Sequence, residues 1–257
     1  MILNEKVIII TGAGPGMGTA ACRGAAREGA RVVVTARSRQ AIEDVAHEIV
    51  AAGGEAIAVP LDVTDMDQCK AAAQAALDKW GRIDGLVNSA YFHPDWGPLV
   101  DHDIEQVLSA YNVGAVGALR MVKAVYPTMK AQGSGSIVNV STLCTRKPMQ
   151  GEGGYGMAKG ALNHMSRHLA VEFAGTGIRV NTALMGWMMG APLQGFADTL
   201  GKEEGAAFLK QRGTEIPVGH IPPDADCAKA VYFLLSDYAS EITGAMLDVN
   251  GGDWVAA

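Results

Sequence analysis

Five consecutive β-branched residues, Val7–Thr11, run directly into Thr11-Gly12-Ala13-Gly14-Pro15-Gly16-Met17-Gly18, and helical spacing follows the last glycine. β-Branched side chains favour a strand, and glycines permit a tight turn and a close backbone approach. A strand that turns through glycines into a helix presents free N–H groups and the positive end of the helix dipole. The pyrophosphate of a dinucleotide would sit there.

Similar runs recur at Arg31–Thr35, Ala56–Leu61, Ile83–Val87, Ser136–Val140, Arg179–Thr182 and Ala245–Val249, which predicts seven strands. Between them, Arg39–Ala52 places Ile42, Val45, Ala46, Ile49 and Val50 on one helical face. Thr64-Asp65-Met66-Asp67 resembles a capping box for a helix reaching Trp80, with Gly81 at its C-cap. Asp103–Lys130 and Gly154–Ala174 read as long helices and Asp224–Ser236 as a shorter one. Strand and helix alternate, so right-handed crossovers predict an α/β architecture: a Rossmann fold with a doubly wound seven-stranded parallel sheet and helices on both faces. The length of 257 residues admits one domain or two. No linker, repeat or low-complexity tract divides the chain, so 1–257 reads as a single domain. Met185–Pro223 carries Trp187, Met188, Met189, Leu193, Phe196 and Phe208 without strand signals, and reads as a substrate lid over about 185–223.

Composition removes several function classes. Hydrophobic residues make up 49% and charged residues 19%, which excludes disorder, collagen and coiled coil. A net charge of −6 leaves no basic stripe for nucleic acid or anionic lipid. Cys22, Cys69, Cys144 and Cys227 are far apart, with no C-x-x-C pair, and read as unpaired thiols in a reducing compartment. The N-terminal apolar run is too short for a signal h-region or a membrane span, so the expectation is a soluble, cytoplasmic protein. His164, His168 and Glu172 share a helix face but lack a fourth ligand and an H-E-x-x-H pattern, so no metal is expected. Gly133-Ser134-Gly135-Ser136 is not a nucleophile elbow, and nothing marks Cys144 as an activated thiol.

Tyr155 and Lys159 stand four apart on a predicted helix, so their side chains share a face. A neighbouring ammonium favours the phenolate and lowers the tyrosine from its ordinary value of ~10, which suits an acid/base unit. After the second strand, a carboxylate would accept ribose hydroxyls and repel a 2′-phosphate. Thr35-Ala36-Arg37 has alanine and arginine there instead. Arg37, with Arg39 as reinforcement, can offer a guanidinium fork to that phosphate, which predicts NADP(H), with NAD(H) as the alternative.

The glycine run has the form T-G-x-x-x-G-x-G. With Asp62-Val63, Asn88-Ser89-Ala90, Asn112, Tyr155-x-x-x-Lys159 and the Gly244–Gly252 segment, it makes the chain resemble the short-chain dehydrogenase/reductase family over nearly its whole length. The resemblance implies Gly12, Gly16, Met17 and Gly18 at the pyrophosphate, Asp62 at the adenine amino group and the Val63 backbone at the adenine ring. Asn88 and Ala90 would line the ribose and pyrophosphate side. It implies a substrate-holding hydroxyl thirteen residues before the tyrosine, which is Thr142, with Ser141 as rival; strand alternation sends the two to opposite faces. The Asn112 carbonyl would hold a water linked to Lys159, and Lys159 would also hold the ribose. A homotetramer built from the two long helices and the last strand is implied as well. Three positions depart from the pattern: Tyr91 for glycine, Met185 for proline and Gly190 for threonine, which shifts nicotinamide contacts toward the Met188 backbone. The halohydrin-lyase branch, with arginine at the place of Lys159, does not fit.

The expected activity is hydride exchange with a hydrophobic ketone or secondary alcohol, steroid-, terpenoid- or aryl-like. The lid joined by Tyr91, Phe92, Trp96 and Met149 supplies an apolar lining. Two other readings keep the fold: a cofactor-binding regulator with faded chemistry, and an epimerase or dehydratase.

Overall fold

The computed structural model describes residues 1–255. Seven parallel strands, β1 (Val7–Thr11), β2 (Arg31–Ala36), β3 (Glu55–Pro60), β4 (Gly85–Asn88), β5 (Gly135–Thr142), β6 (Ile178–Met185) and β7 (Met246–Val249), lie in the order β3-β2-β1-β4-β5-β6-β7. The predicted strands are all present, shifted by a few residues at their ends.

Successive residues of β1 serve opposite faces. Ile8 and Ile10 pack with α1 (Met17–Arg27), α2 (Arg39–Ala51) and α9 (Asp224–Leu235), the last helix in chain order. Val7 and Ile9 pack with α3 (Met66–Trp80), α5 (Gly117–Gln132) and α6 (Gly153–Glu172). Burial on both faces explains the unbroken apolar run of the strand. All four cysteines are free and buried, and among the described residues no helix is long and apolar enough to cross a membrane.

Three local expectations need correction. The N-cap of α3 is Asp65, which accepts from the Asp67 and Gln68 N–H groups, while Gln68 reaches back to Asp65 Oδ2. Thr64 is drawn away by Asp62, whose Oδ1 accepts from its N–H and hydroxyl. The span Asp103–Lys130 is not one helix. It is α4 (Ile104–Tyr111), a π-turn over Asn112–Val116, and α5. The Gly117 N–H bonds to the Asn112 carbonyl, five residues back, because the absent side chain lets that turn close on Val63. The stretch after β6 contains two helices, α7 (Ala191–Thr199) and α8 (Lys202–Glu215), and Met185 belongs to β6, buried in the core rather than lining a lid.

Candidate active site

The strand order reverses between β1 and β4, and the crevice at their carboxyl ends is where a ligand fits in such a sheet. Thr11 joins the two ends. Its Oγ1 accepts from the Ser89 and Ala90 N–H groups at 3.1 and 3.3 Å and lies 3.3 Å from the Val87 carbonyl oxygen. Gly12, at φ +71°, lies so close to Ala90 that a Cβ would fall 2.6 Å from its backbone, and a Cβ on Gly18 would strike the Gly12 carbonyl. No side chain caps α1, whose N-cap is Gly16, so its first amides, at Met17 and Gly18, have no side-chain capping partner. This cradle fits a pyrophosphate.

Along the crevice, Arg37 is exposed just past β2. The Asp62 carboxyl is held below its ordinary range by its bonds from the Thr64 N–H and hydroxyl, with Arg37 adding to the effect against burial. Arg39, two residues on, pairs with Glu43 one turn along α2 at 3.4 Å. Val63 is buried, and Ala90 is half-buried beside Gly12. Asn88 is also buried, with its Nδ2 donating to Asn139 Oδ1 at 2.8 Å while its own Oδ1 has no partner. Asn139 in turn donates to Ser166 of α6.

The end of β5 and the start of α6 bring the proton-transfer candidates together. Lys159 is buried and donates from Nζ to the Val140 carbonyl at 2.8 Å, and Nζ stands 5.6 Å from the Tyr155 ring centroid. Thr142 ends β5, and its Oγ1 accepts from the Cys144 N–H at 3.3 Å. A Cβ on Gly156 would touch Cys144 Sγ, so this turn packs on the first turn of α6. Ser141, its neighbour, is buried with a hydroxyl that has no partner.

The expected lowering of the tyrosine by Lys159 does not appear in the protein alone. Burial pushes Tyr155 well above its ordinary value, and Cys144, Tyr91 and Glu152 add to this. Burial also pushes Lys159 down to about 8. The Cys144 thiol rises to about 11 for the same reason, so it remains protonated and unreactive. Asn112 opens the π-turn, and Arg120 Nη1 donates to its Oδ1 at 3.0 Å and approaches its carbonyl at 3.4 Å.

Two residues outside the sequence motifs touch this centre. The His93 ring stacks on Tyr155 at 4.8 Å between centroids, and its Nε2 lies 3.0 Å from Glu152 Oε2. Tyr91 meets the Tyr155 ring edge-on at 6.1 Å. No spacing rule pairs residues 93 and 152; only the folded loops do.

On the far side, where the pattern expects threonine, a Cβ on Gly190 would fall 2.5 Å from Asp224 Oδ2, and the Asp224 N–H bonds to the Met189 carbonyl. Met188 is half-buried beside the core. After β6, Phe208 of α8 packs edge-on against Trp187 and Phe196, and the Arg212 guanidinium covers the Trp187 ring at 5.1 Å. Asp253 ties α8 to the segment after β5, accepting from Arg212 of α8 and from Lys147.

Residues 12–253 match the protein family described as enoyl-(acyl carrier protein) reductase. The chain is 35% identical to 2,5-dichloro-2,5-cyclohexadiene-1,4-diol dehydrogenase LinX of Sphingobium indicum, over 97% of this chain and 96% of that one. It is 34% identical to cis-4-hydroxycyclohexanecarboxylate dehydrogenase of Sinomonas cyclohexanicum, over 96% of each. A crystal structure of an actinorhodin polyketide ketoreductase variant with NADPH superposes with a TM-score of 0.90 at 26% identity, covering 97% of both chains.

Proposed function

The chain belongs to the short-chain dehydrogenase/reductase family and is an NAD(P)-dependent oxidoreductase acting on CH–OH and C=O groups; from that premise we propose that it turns over hydrophobic, ring-bearing ketones or secondary alcohols with Tyr155 as general acid and base. The observation that carries this reading is the meeting of Lys159 and Tyr155 with the Thr142 end of β5, where α6 packs on the strand and its following turn; the aromatic cluster of Trp187, Phe196 and Phe208 after β6 is read as an apolar lid. Steroid-, terpenoid- and aryl-like skeletons fit such an apolar lining. The printed substrates of two relatives, a cyclohexadienediol and a hydroxycyclohexanecarboxylate, are alicyclic alcohols.

When bound, the nicotinamide supplies or accepts the hydride. Gly12, Gly16, Met17 and Gly18 would hold the pyrophosphate, Asp62 and Val63 the adenine, and Asn88 and Ala90 the ribose and pyrophosphate side. The Met188 backbone would hold the carboxamide. Arg37 makes no ion pair among the described residues, and its free guanidinium favours a 2′-phosphate, hence NADP(H) over NAD(H). The hydroxyls of Thr142 and Tyr155 hold the carbonyl oxygen. Tyr155, kept protonated at neutral pH by burial, delivers its proton as negative charge develops on that oxygen. Lys159 stabilises the phenolate left behind and holds the ribose, and the Asn112 carbonyl orders the water that returns the proton.

The test is steady-state turnover of cyclohexanone, 2-tetralone and menthone with NADPH and with NADH. We expect turnover that favours NADPH and falls by about 10²–10⁴-fold in Tyr155→Phe. Full activity in that variant, or no turnover of any cyclic ketone, sinks the reading; a preference for NADH sinks the role of Arg37 alone.

A further inference from the structure

The loop after β4 and the loop before α6 meet over Tyr155 through His93 and Glu152. His93 Nδ1 lies 2.6 Å from the Pro94 carbonyl oxygen, which can only accept, so Nδ1 carries a proton. Its Nε2 lies 3.0 Å from Glu152 Oε2. One further proton is shared across that contact, because without it two lone pairs would face each other. The side chains are only 26% and 13% exposed, so water screens them weakly. The His93 ring also meets two aromatic rings, stacked on Trp96 at 5.8 Å and 17° and tilted against Tyr155 at 4.8 Å and 30°.

We propose that His93 and Glu152 are a positioning pair for Tyr155: together they retain one proton, keep an imidazolium stacked on the tyrosine ring, and so favour its phenolate. The proposal rests on the reading of Tyr155 as the acid/base group. A cation over an aromatic face is attracted by the ring's π electrons, and a phenolate ring is richer in them than a phenol. Glu152, Tyr91 and Cys144 face Tyr155 with the opposite influence, and Lys159 is the other cation near its ring. Burial works against the charged histidine, but the bonds to Glu152 and Pro94 outweigh it and raise His93 above its ordinary value.

Nitrogen-15 histidine NMR of the full chain tests the pair without any turnover. The His93 signal is assigned by its loss in His93→Gln and in His93→Phe. We expect both ring nitrogens to be protonated at neutral pH and to titrate above the ordinary histidine range. Glu152→Gln should return His93 to that range. An ordinary His93 midpoint in the wild type, or one that Glu152→Gln leaves unmoved, overturns the pair.

The pH profile of cyclohexanol oxidation tests its effect on Tyr155. Activity there rises as Tyr155 loses its proton, and we expect this limb to move up by about half to one pH unit in His93→Gln. His93→Phe, which keeps the stack and removes the charge, should move it likewise, with kcat falling more than KM changes. Activity lost equally at all pH values, with the limb in place, marks His93 as packing only and overturns the proposal. If no alcohol or ketone is turned over, the fault lies with the oxidoreductase reading, and the NMR titration still decides the pair.

Discussion

Ser141 and Thr142 are adjacent on β5, and their alternation separates their fates. Asn139 shares the Ser141 face and bonds to Ser166 of α6, the helix that also carries Tyr155 and Lys159, but Ser141 itself is 3% exposed and its hydroxyl has no partner. Thr142 is half-buried at the strand end, and its hydroxyl oxygen already accepts from the Cys144 N–H, which leaves its proton free for a carbonyl oxygen. Thr142→Ala should therefore lower kcat/KM by about 10–100-fold, the worth of one hydrogen bond to a charged partner. Thr142→Ser should restore most of it, and Ser141→Ala should change turnover by less than about threefold. Steady-state kinetics on the three variants check this, and the reverse order would transfer the role to Ser141. Tyr155 and Lys159 were legible in the sequence because helical spacing puts them on one face, whereas Thr142 was named only through the family resemblance, by its distance of thirteen residues from the tyrosine. His93 and Glu152 were not legible, since they lie 59 residues apart on loops that no periodicity relates. The proton affinity of Tyr155 was misjudged for a related reason: the four-residue spacing shows the ammonium, whereas burial, which dominates, depends on everything packed around the ring.

Among the elements, residues 185–223 show in the sequence only as a stretch without strand signals. α8 escaped notice because only Gly205 and Gly213 along it are fully buried, so its sequence carries little of the apolar repeat by which helices are recognised. Phe208 attaches it to Trp187 and Phe196, and Arg212 adds an ion pair to Asp253. Burial alone would raise the Asp253 carboxyl, but the bonds and charges of Lys147 and Arg212 outweigh this and hold it below its ordinary value. Its folded-state value is depressed, so its contribution to stability is complete above the unfolded value of ~3.9 and disappears as pH falls through the lower folded value. Asp253→Asn should cost about 1–3 kcal/mol at neutral pH, less than a fully buried pair because Lys147 is 44% exposed. Hydrogen exchange should quicken in α8, and thermal unfolding of variant and wild type should converge only below about pH 4. Unchanged exchange in α8 would rule out Asp253 as the anchor of the lid.

For the molecule as a whole, the two-sided parallel sheet followed from alternating strand and helix signals, since β-branched runs with no polar face have to be covered on both sides. Contacts between whole subunits leave no such periodic trace, but they leave exposed apolar surface. On α4, Ile104, Leu108 and Tyr111 recur at helical spacing and are 67%, 52% and 47% exposed, with Val100 just before the helix at 92%. α4 packs along α6, and Val171 of α6 is 75% exposed. An apolar stripe of this kind on a helix pair is a surface that a partner would cover, and we propose it as a contact of the homotetramer implied by the family resemblance. Ile104→Lys combined with Leu108→Lys should leave the fold intact, because both side chains already face outward, and should replace tetramer by smaller species in light scattering at micromolar protein. Turnover should fall with the mass, because Asn112 begins its π-turn directly after Tyr111 and the stripe steadies that turn from outside. A wild-type chain that is monomeric, or a doubly substituted one that remains tetrameric, would remove α4 from the interface; a dissociated variant with full activity would show that the π-turn holds Asn112 without help from a second subunit.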